Sequence, residues 1–306
     1  MIDGPRDSET FGDSTASLIP FLASLPRETG VASRAVINDG QTKTVPGHAA
    51  LFTGAIERLP NTLVYTFGIP NRFPRLAHAT LFERLRKERR LGPESAVLIA
   101  SKRKLLKLAA SGAPGYGDPY CARALCGKWV SFGEGTIDDR TTYERAAREI
   151  RAEAATLLVV AFAEPDLEAH GGHWDAYRAA IRQSDAYVDS LWTLAQSLPA
   201  WRGATTLIVT ADHGRHLDGH KEGYEEHGDD CEGCRRILFA AQGPDFRRGA
   251  FVDAPARQVD VAATIAELLG LSSDGMEGRV MTELFAADAS AADSSAAESR
   301  APGAAR

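Results

Sequence analysis

The sequence predicts an α/β sandwich, three layers deep, with helices on both faces of a mostly parallel central sheet. Three observations predict it. Residues 156–163 and 205–211 are continuous apolar runs, the pattern of strands buried on both faces. Between them, Tyr177, Ala180, Ile181, Ser184, Tyr187, Val188 and Leu191 recur at helical spacing within residues 174–198. A second amphipathic stretch, residues 260–269, is closed by Gly270 at the position where a helix turns left-handed.

Taken in order, the elements are as follows. Met1 and Ile2 read as the last residues of a strand ending at Asp3-Gly4. A strand needs about 5–6 residues to pair on both sides. The expectation is therefore that the true beginning lies upstream, and that Asp3 hangs on a frayed end beside strands with unpaired backbone groups. No apolar signal segment opens the chain, so as written it reads as cytoplasmic, with an export signal upstream left open. Pro46 suits the first turn of a helix, which sets Thr44 just ahead of an N-terminus that favours anions. Residues 97–100 and 237–241 are weaker strand candidates. Residues 111–137, rich in glycine and short of periodicity, read as an irregular excursion and a lid over the site. Residues 286–306, Ala/Ser-rich with nothing to bury, read as a disordered tail, leaving one domain over 1–285.

Composition limits the function classes. The 306 residues are 44% hydrophobic and 25% charged with net charge −6, which excludes collagen, a coiled coil and a wholly disordered chain, and indicates no nucleic-acid-binding surface. The longest apolar stretch, 154–163, is too short for the roughly 20 residues a membrane helix needs. Four cysteines, at 121, 126, 231 and 234, are not a disulfide framework; the Cys231-x-x-Cys234 spacing suits a structural zinc shared with Cys121 and Cys126, but with only one tight spacing the four read rather as buried or free thiols.

In open α/β sheets ligands gather at the carboxyl ends of strands. Three such ends carry aspartate: Asp3; Asp166 with His170 and His173; and Asp212-His213-Gly214-Arg215. Aspartate and histidine together suit zinc or manganese. Thr44 is either an N-cap or, beside a metal, a nucleophilic alkoxide.

These motifs resemble the alkaline phosphatase superfamily, on its branch of type I phosphodiesterases, nucleotide pyrophosphatases and threonine-nucleophile phosphatases. The resemblance covers residues 2 to about 285 and rests on Ile2-Asp3-Gly4, Thr44-Val45-Pro46-Gly47-His48, Asp166 with His170, Asp212-His213-Gly214-Arg215, His227-Gly228, and the closing run from Gln258 to Gly278. It implies an alkaline phosphatase-like sandwich and two divalent cations, zinc or manganese. Asp3, Thr44, Asp212 and His213 match the ligands of one cation. Asp166, His170 and His227 match those of the other, and Thr44 matches the nucleophile. His216 and His220 compete for the role of His227, and His173 for that of His170. Three carboxylates and one alkoxide would balance two dications, leaving a site that accepts a phosphoryl dianion.

Departures from the superfamily's patterns narrow the chemistry. Sulfatases carry Cys or Ser in Cys/Ser-x-Pro-x-Arg, whereas this motif starts at Thr44 and ends in His48. Nucleotide pyrophosphatases usually have asparagine where Gly47 stands; Lys102, and less directly Arg215, are the candidate phosphoryl-binding replacements. Cofactor-independent phosphoglycerate mutases carry a large inserted domain for which this chain has no room. The implied activity is hydrolysis of a small-molecule phosphate monoester or diester through a phospho-threonine. A phosphomutase, a phosphonate hydrolase, and a metal-binding protein without turnover are the alternatives.

Overall fold

The computed structural model describes residues 1–61, 74–129 and 135–286. Its strands, in chain order, are β1 (Gly30–Ser33), β2 (Val36–Ile37), β3 (Ala96–Ala100), β4 (Arg123–Cys126), β5 (Leu157–Ala161), β6 (Leu207–Thr210), β7 (Phe239–Gln242), β8 (Ala250–Phe251) and β9 (Ala256–Arg257). Its α-helices are α1 (Pro20–Ser24), α2 (Thr44–Thr53), α3 (Leu81–Glu88), α4 (Asp139–Ala152), α5 (Glu164–His170), α6 (Trp174–Ser197), α7 (Glu232–Arg235) and α8 (Gln258–Leu268).

Two sheets meet at the chain's first residues. One has the order β4-β3-β5, all parallel, and the other the order β6-β7-β1-β8, in which β7 runs antiparallel to both neighbours. Met1–Asp3 lies between them. Its amine donates to Val160 O at 2.6 Å, Phe162 N donates to Met1 O at 3.1 Å, Asp3 N to Phe162 O at 3.1 Å, and Ile2 N to Thr210 O at 3.1 Å. These bonds correct the expectation of a frayed Asp3. The backbone is tied on both sides, and Asp3 is 2% exposed. The amino ends of β5 and β6 differ: Leu157, Leu158, Leu207 and Ile208 are only half-buried and, with Met1, line a groove of about 450 Å³.

The apolar runs become strands for the reason their sequence suggests. β3 (Ala96-Val97-Leu98-Ile99-Ala100) is buried along its whole length. α2 and α8 pack against each other, and α4 and α6 do the same. Residues 139–152, which carry few apolar side chains, form α4 because Asp138 caps it through Thr141 N at 2.6 Å and Ala146, Ala147 and Ile150 supply one buried stripe. Reading residues 111–137 as irregular throughout needs correcting. Residues 123–126 form β4, which pairs parallel with β3 and joins the sheet. Five residues of that stretch, 130–134, lie outside the described residues, as do 287–306 of the expected tail.

Candidate metal centre

The site is built on strand ends. Asp3 leaves the Met1–Asp3 segment and Gly4 follows it at φ +63°, where a side chain is strained and a Cβ would stand 3.2 Å from both Asp166 Oδ1 and His213 Cε1. Asp212 and His213 follow β6. Asp166 and His170 lie i, i+4 on α5, one turn apart on the same face. Thr44 is the first residue of α2 and fully buried.

α2 can reach Asp212 only because residue 47 is glycine. A Cβ there would sit 2.4 Å from Asp212 O. The Gly47 that departs from the pyrophosphatase pattern is thus the price of close packing between the helix and the Asp212 loop.

Two groups of acceptors result. In the first, Asp3, Asp212 and His213 are all buried, and His213 Nε2 lies 3.5 Å from Asp3 Oδ1 and 3.4 Å from Asp212 Oδ2. His213 Nδ1 faces Gly214 O at 2.9 Å, so the proton belongs on Nδ1 and the Nε2 lone pair faces two carboxylates. Asp3 Oδ1, Asp212 Oδ2 and His213 Nε2 are buried atoms without a hydrogen-bond partner. Three converging acceptors, with His48 Nδ1 3.1 Å from Asp212 Oδ2 but no hydrogen bond made to any of them, fit a cation. Burial also lowers the His213 pKa to about 3, which keeps the ring neutral, as a ligand must be.

The second group holds Asp166, His170 and His227. His170 Nε2 and His227 Nε2 are 3.1 Å apart and lie 3.3 and 3.4 Å from Asp166 Oδ1. His227 Nδ1 is occupied by Thr42 O at 2.7 Å, which again turns Nε2 inward. The His213 and His227 rings stack at 3.7 Å, bringing the two groups side by side.

Lys102, just past β3, spans both groups. Its buried ammonium contacts Asp166 Oδ2, lies 2.8 Å from Asp3 Oδ2 and 3.4 Å from Thr44 Oγ1. Burial opposes the charge on Lys102, and Asp166 and Asp3 outweigh that, holding its pKa above the usual lysine range. Burial likewise works against the Asp166 anion, and Lys102, His170, His227 and Arg215 overcome it, holding the carboxyl well below the usual range. Arg215 is engaged with Asp166: its Nη2 donates to Asp166 Oδ1 at 2.5 Å and to Asp166 O at 3.1 Å, and its Nη1 to Glu225 O at 3.3 Å. Its geometry is that of a residue that orients Asp166.

The competing histidines lie elsewhere. His173 is exposed and pairs with Glu168 at 2.8 Å. His216 and His220 belong to a third group with Asp229 and Cys231, and Cys121, Cys126 and Cys234 fall in none of the three groups found among the described residues. A supporting layer acts in ways the sequence does not announce, although His48 and Gln258 stand within the motifs noted above. Asn38 Nδ2 and Gln258 Nε2 each donate to Asp212 O at 2.7 Å, and His48 Nδ1 to Thr44 O at 2.8 Å. Asp139 accepts from Ser101 Oγ at 2.5 Å, Ala163 N at 2.8 Å and Glu164 N at 2.9 Å, tying the ends of β3 and β5 together. The first three grip backbone carbonyls and the last mainly backbone amides, so no spacing in the chain announces them.

No protein-family model matches the chain. It is 30% identical over 149 residues to the 2,3-bisphosphoglycerate-independent phosphoglycerate mutase of Gloeobacter violaceus, covering 44% of this chain and 27% of the mutase. The same enzyme of Gracilaria tenuistipitata var. liui is 27% identical over 132 residues, 42% of this chain and 24% of the enzyme. The chain thus spans about a quarter of the length of the curated relatives it matches. Among solved structures it superposes on murine ectonucleotide pyrophosphatase/phosphodiesterase 5 with TM-score 0.65 at 16% identity, covering 93% of this chain and 98% of that one. A Vibrio parahaemolyticus protein of the alkaline phosphatase superfamily gives TM-score 0.66 at 17% identity over 94% and 69% of the two chains. The phosphonate monoester hydrolase of Silicibacter pomeroyi gives 0.58 at 13% identity over 94% and 76%. The strand order, the helical layers and these superpositions agree: the chain has the alkaline phosphatase-like fold that members of that superfamily share.

Proposed function

We propose that this protein is a metal-dependent hydrolase of phosphoric esters in which Thr44 Oγ1 attacks phosphorus and carries the phosphoryl group until water removes it. The observation that carries the reading is the position of Thr44: a buried hydroxyl at the start of α2, in contact with the Lys102 that bridges two acceptor-only groups. Asp3, Asp212 and His213 with Thr44 would hold one dication, and Asp166, His170 and His227 the other; zinc and manganese both suit these donors. Bound there, the cations supply Lewis-acid stabilisation of the attacking and leaving oxygens.

The chain's own residues do the rest. His48 holds Thr44 O and so fixes the first turn of α2. Lys102, within reach of the reacting hydroxyl, meets a non-bridging phosphoryl oxygen. Arg215 keeps Asp166 oriented. The helix start favours the negative charge that accumulates on attack.

A second reading is favoured by the similarity to phosphoglycerate mutases: transfer of the same phosphoryl group to a second hydroxyl instead of water. One experiment separates these. Zinc- or manganese-loaded protein is offered aryl phosphate monoesters and diesters, a phosphonate ester and a sulfate ester, and trapped protein is analysed for phosphate on Thr44. Release of phosphate, with Thr44 as the modified residue, is expected. Transfer only in the presence of an added alcohol supports the mutase reading. Bound metal with neither turnover nor modification leaves a metal-binding protein without activity.

A further inference from the structure

The loop that follows β6 carries a third cluster, separate from the two described. His216, His220, Asp229 and Cys231 each point one donor atom into a common space, all within 4.8 Å of one another. His216 is 3% exposed, and neither of its ring nitrogens has a hydrogen-bond partner. A buried imidazole with two idle nitrogens is costly unless something else occupies one of them.

The spacings indicate what that is. His216 Nε2 lies 3.3 Å and His220 Nε2 3.0 Å from the same atom, Asp229 Oδ2. Ligands around a tetrahedral zinc stand about 3.3–3.6 Å apart, given metal–ligand bonds of about 2.0–2.3 Å; the His216 spacing meets this, and the His220 contact is a hydrogen bond a few tenths of an ångström shorter. Asp229 Oδ1 is already committed to Cys231 N at 3.1 Å, so Oδ2 is the oxygen left to coordinate. Cys231 Sγ accepts the amide of Cys234 at 3.4 Å, a bond that helps fix where the sulfur sits. Lys221 Nζ now lies 2.5 Å from Asp229 Oδ2, but its side chain is 51% exposed and swings away on a flexible stem when a dication takes its place.

We infer that His216, His220, Asp229 and Cys231 form a structural zinc site, distinct from the two-cation centre. Two nitrogens, one oxygen and one sulfur are a closed tetrahedral set with no position left for substrate. Cys234 does not belong to it: its side chain is fully buried and its sulfur falls outside the group of converging donor atoms. The site closes a loop whose described regular structure between residues 216 and 231 is a single three-residue turn, Gly223–Glu225. His227 lies inside that loop, and Thr42 grips both sides of it, through His227 Nδ1 at 2.7 Å and Asp229 O at 2.7 Å. Zinc would therefore clamp the segment that delivers His227. The clamp stands independently of the proposed reaction; only its consequence for His227 rests on that reading.

Cobalt substitution tests it. The two groups of the candidate centre contain no sulfur, so a sulfur-to-cobalt charge-transfer band in the near ultraviolet reports on the third site alone. The band should appear in cobalt-loaded wild type, vanish in Cys231→Ser and persist in Cys234→Ser, and zinc content should fall by one ion per chain in Cys231→Ser. His220→Ala, at a residue 42% exposed, should weaken the third ion at least tenfold without unfolding the chain. A wild type that binds two cobalt ions without the band overturns the inference, as does a band that survives Cys231→Ser. Loss of turnover with the band intact counts against the hydrolase instead.

Discussion

The two ends of the central strands are different environments. At the carboxyl ends of β3, β5 and β6, Ala100, Ala161 and Thr210 are buried, and beyond them stand Lys102, Asp166, Asp212 and His213, each at most 2% exposed. At the amino ends of β5 and β6, Leu157, Leu158, Leu207 and Ile208 are half-buried around an open groove, while β3 between its neighbours stays buried throughout. The carboxyl end is thus dense and charged, and the amino end apolar and loosely covered. The difference teaches where the fold spends its stability: polar groups are held in place at one end of the sheet, and apolar burial is left incomplete at the other.

The largest expected effect breaks the carboxyl end chemically. Thr44→Ala removes one hydroxyl and leaves the other six candidate ligands. Turnover of an aryl phosphate should fall on the order of 10³-fold or more, with bound metal retained. Steady-state kinetics beside metal analysis decide it. A variant that keeps a tenth of the wild-type rate removes Thr44 from the reaction.

Next is charge. In the metal-free protein Lys102 is the cation between Asp3 and Asp166. Lys102→Met leaves buried Asp3 without its ammonium partner and Asp166 with Arg215 as its remaining fixed cation, which costs about 3–5 kcal/mol. With dications present the loss should shrink, because they take over the neutralising role. Denaturant midpoints with and without zinc measure both. Equal losses in the two conditions would show that Lys102 does not stand in for a cation.

Much of this end was legible in the sequence. Asp3, Asp166, Asp212 and their histidines follow apolar runs, and a strand end is where a parallel sheet offers its ligands. What stayed hidden acts through the backbone or through distance along the chain. Asn38 and Gln258 are 220 positions apart in sequence yet share one carbonyl of Asp212. The two bonds that Arg215 makes to Asp166, on α5, were not legible either, because they join the loop after β6 to a helix 49 positions earlier. β4 was missed because its glycine-rich flanks mask four residues that pair only with distant β3.

A smaller effect follows from acid. Burial holds the His213 pKa at about 3, against about 6.5 in an unfolded chain. Between those values the unfolded chain binds a proton that the folded one does not. This contribution therefore makes metal-free protein lose stability as pH falls from about 6.5 towards 3, by about 1.4 kcal/mol per unit, and has no effect above that window. Asp139 and Asp185 oppose it: burial raises both carboxyls to about 6, so the folded chain takes up their protons first and gains stability as pH falls from about 6 to 4. The clean measurement is a difference. The stability of metal-free wild type minus that of His213→Asn should decline on acidification from pH 7 to 4. A flat difference would mean that His213 is not held neutral by burial.

A difference of a few kcal/mol between two leucine truncations sharpens the contrast at the amino end. Leu98 and Leu158 lie one register position apart on neighbouring parallel strands, Leu98 opposite Val159 and Leu158 opposite Val97, so the same truncation is made in like backbone. Leu98 is fully buried, whereas Leu158 is half-buried on the wall of the groove, against Val97 and Ile99. Leu98→Ala should open a cavity in tight packing and cost about 3–5 kcal/mol, near the upper range for such changes. Leu158→Ala removes a side chain that already borders open space, so less transfer energy is lost and little new cavity forms; about 1–2 kcal/mol is expected. Urea denaturation of the two variants, with metal saturating, gives the comparison directly. Equal costs would mean that the groove is closed in solution and that the amino end is packed as tightly as the end that carries the chemistry.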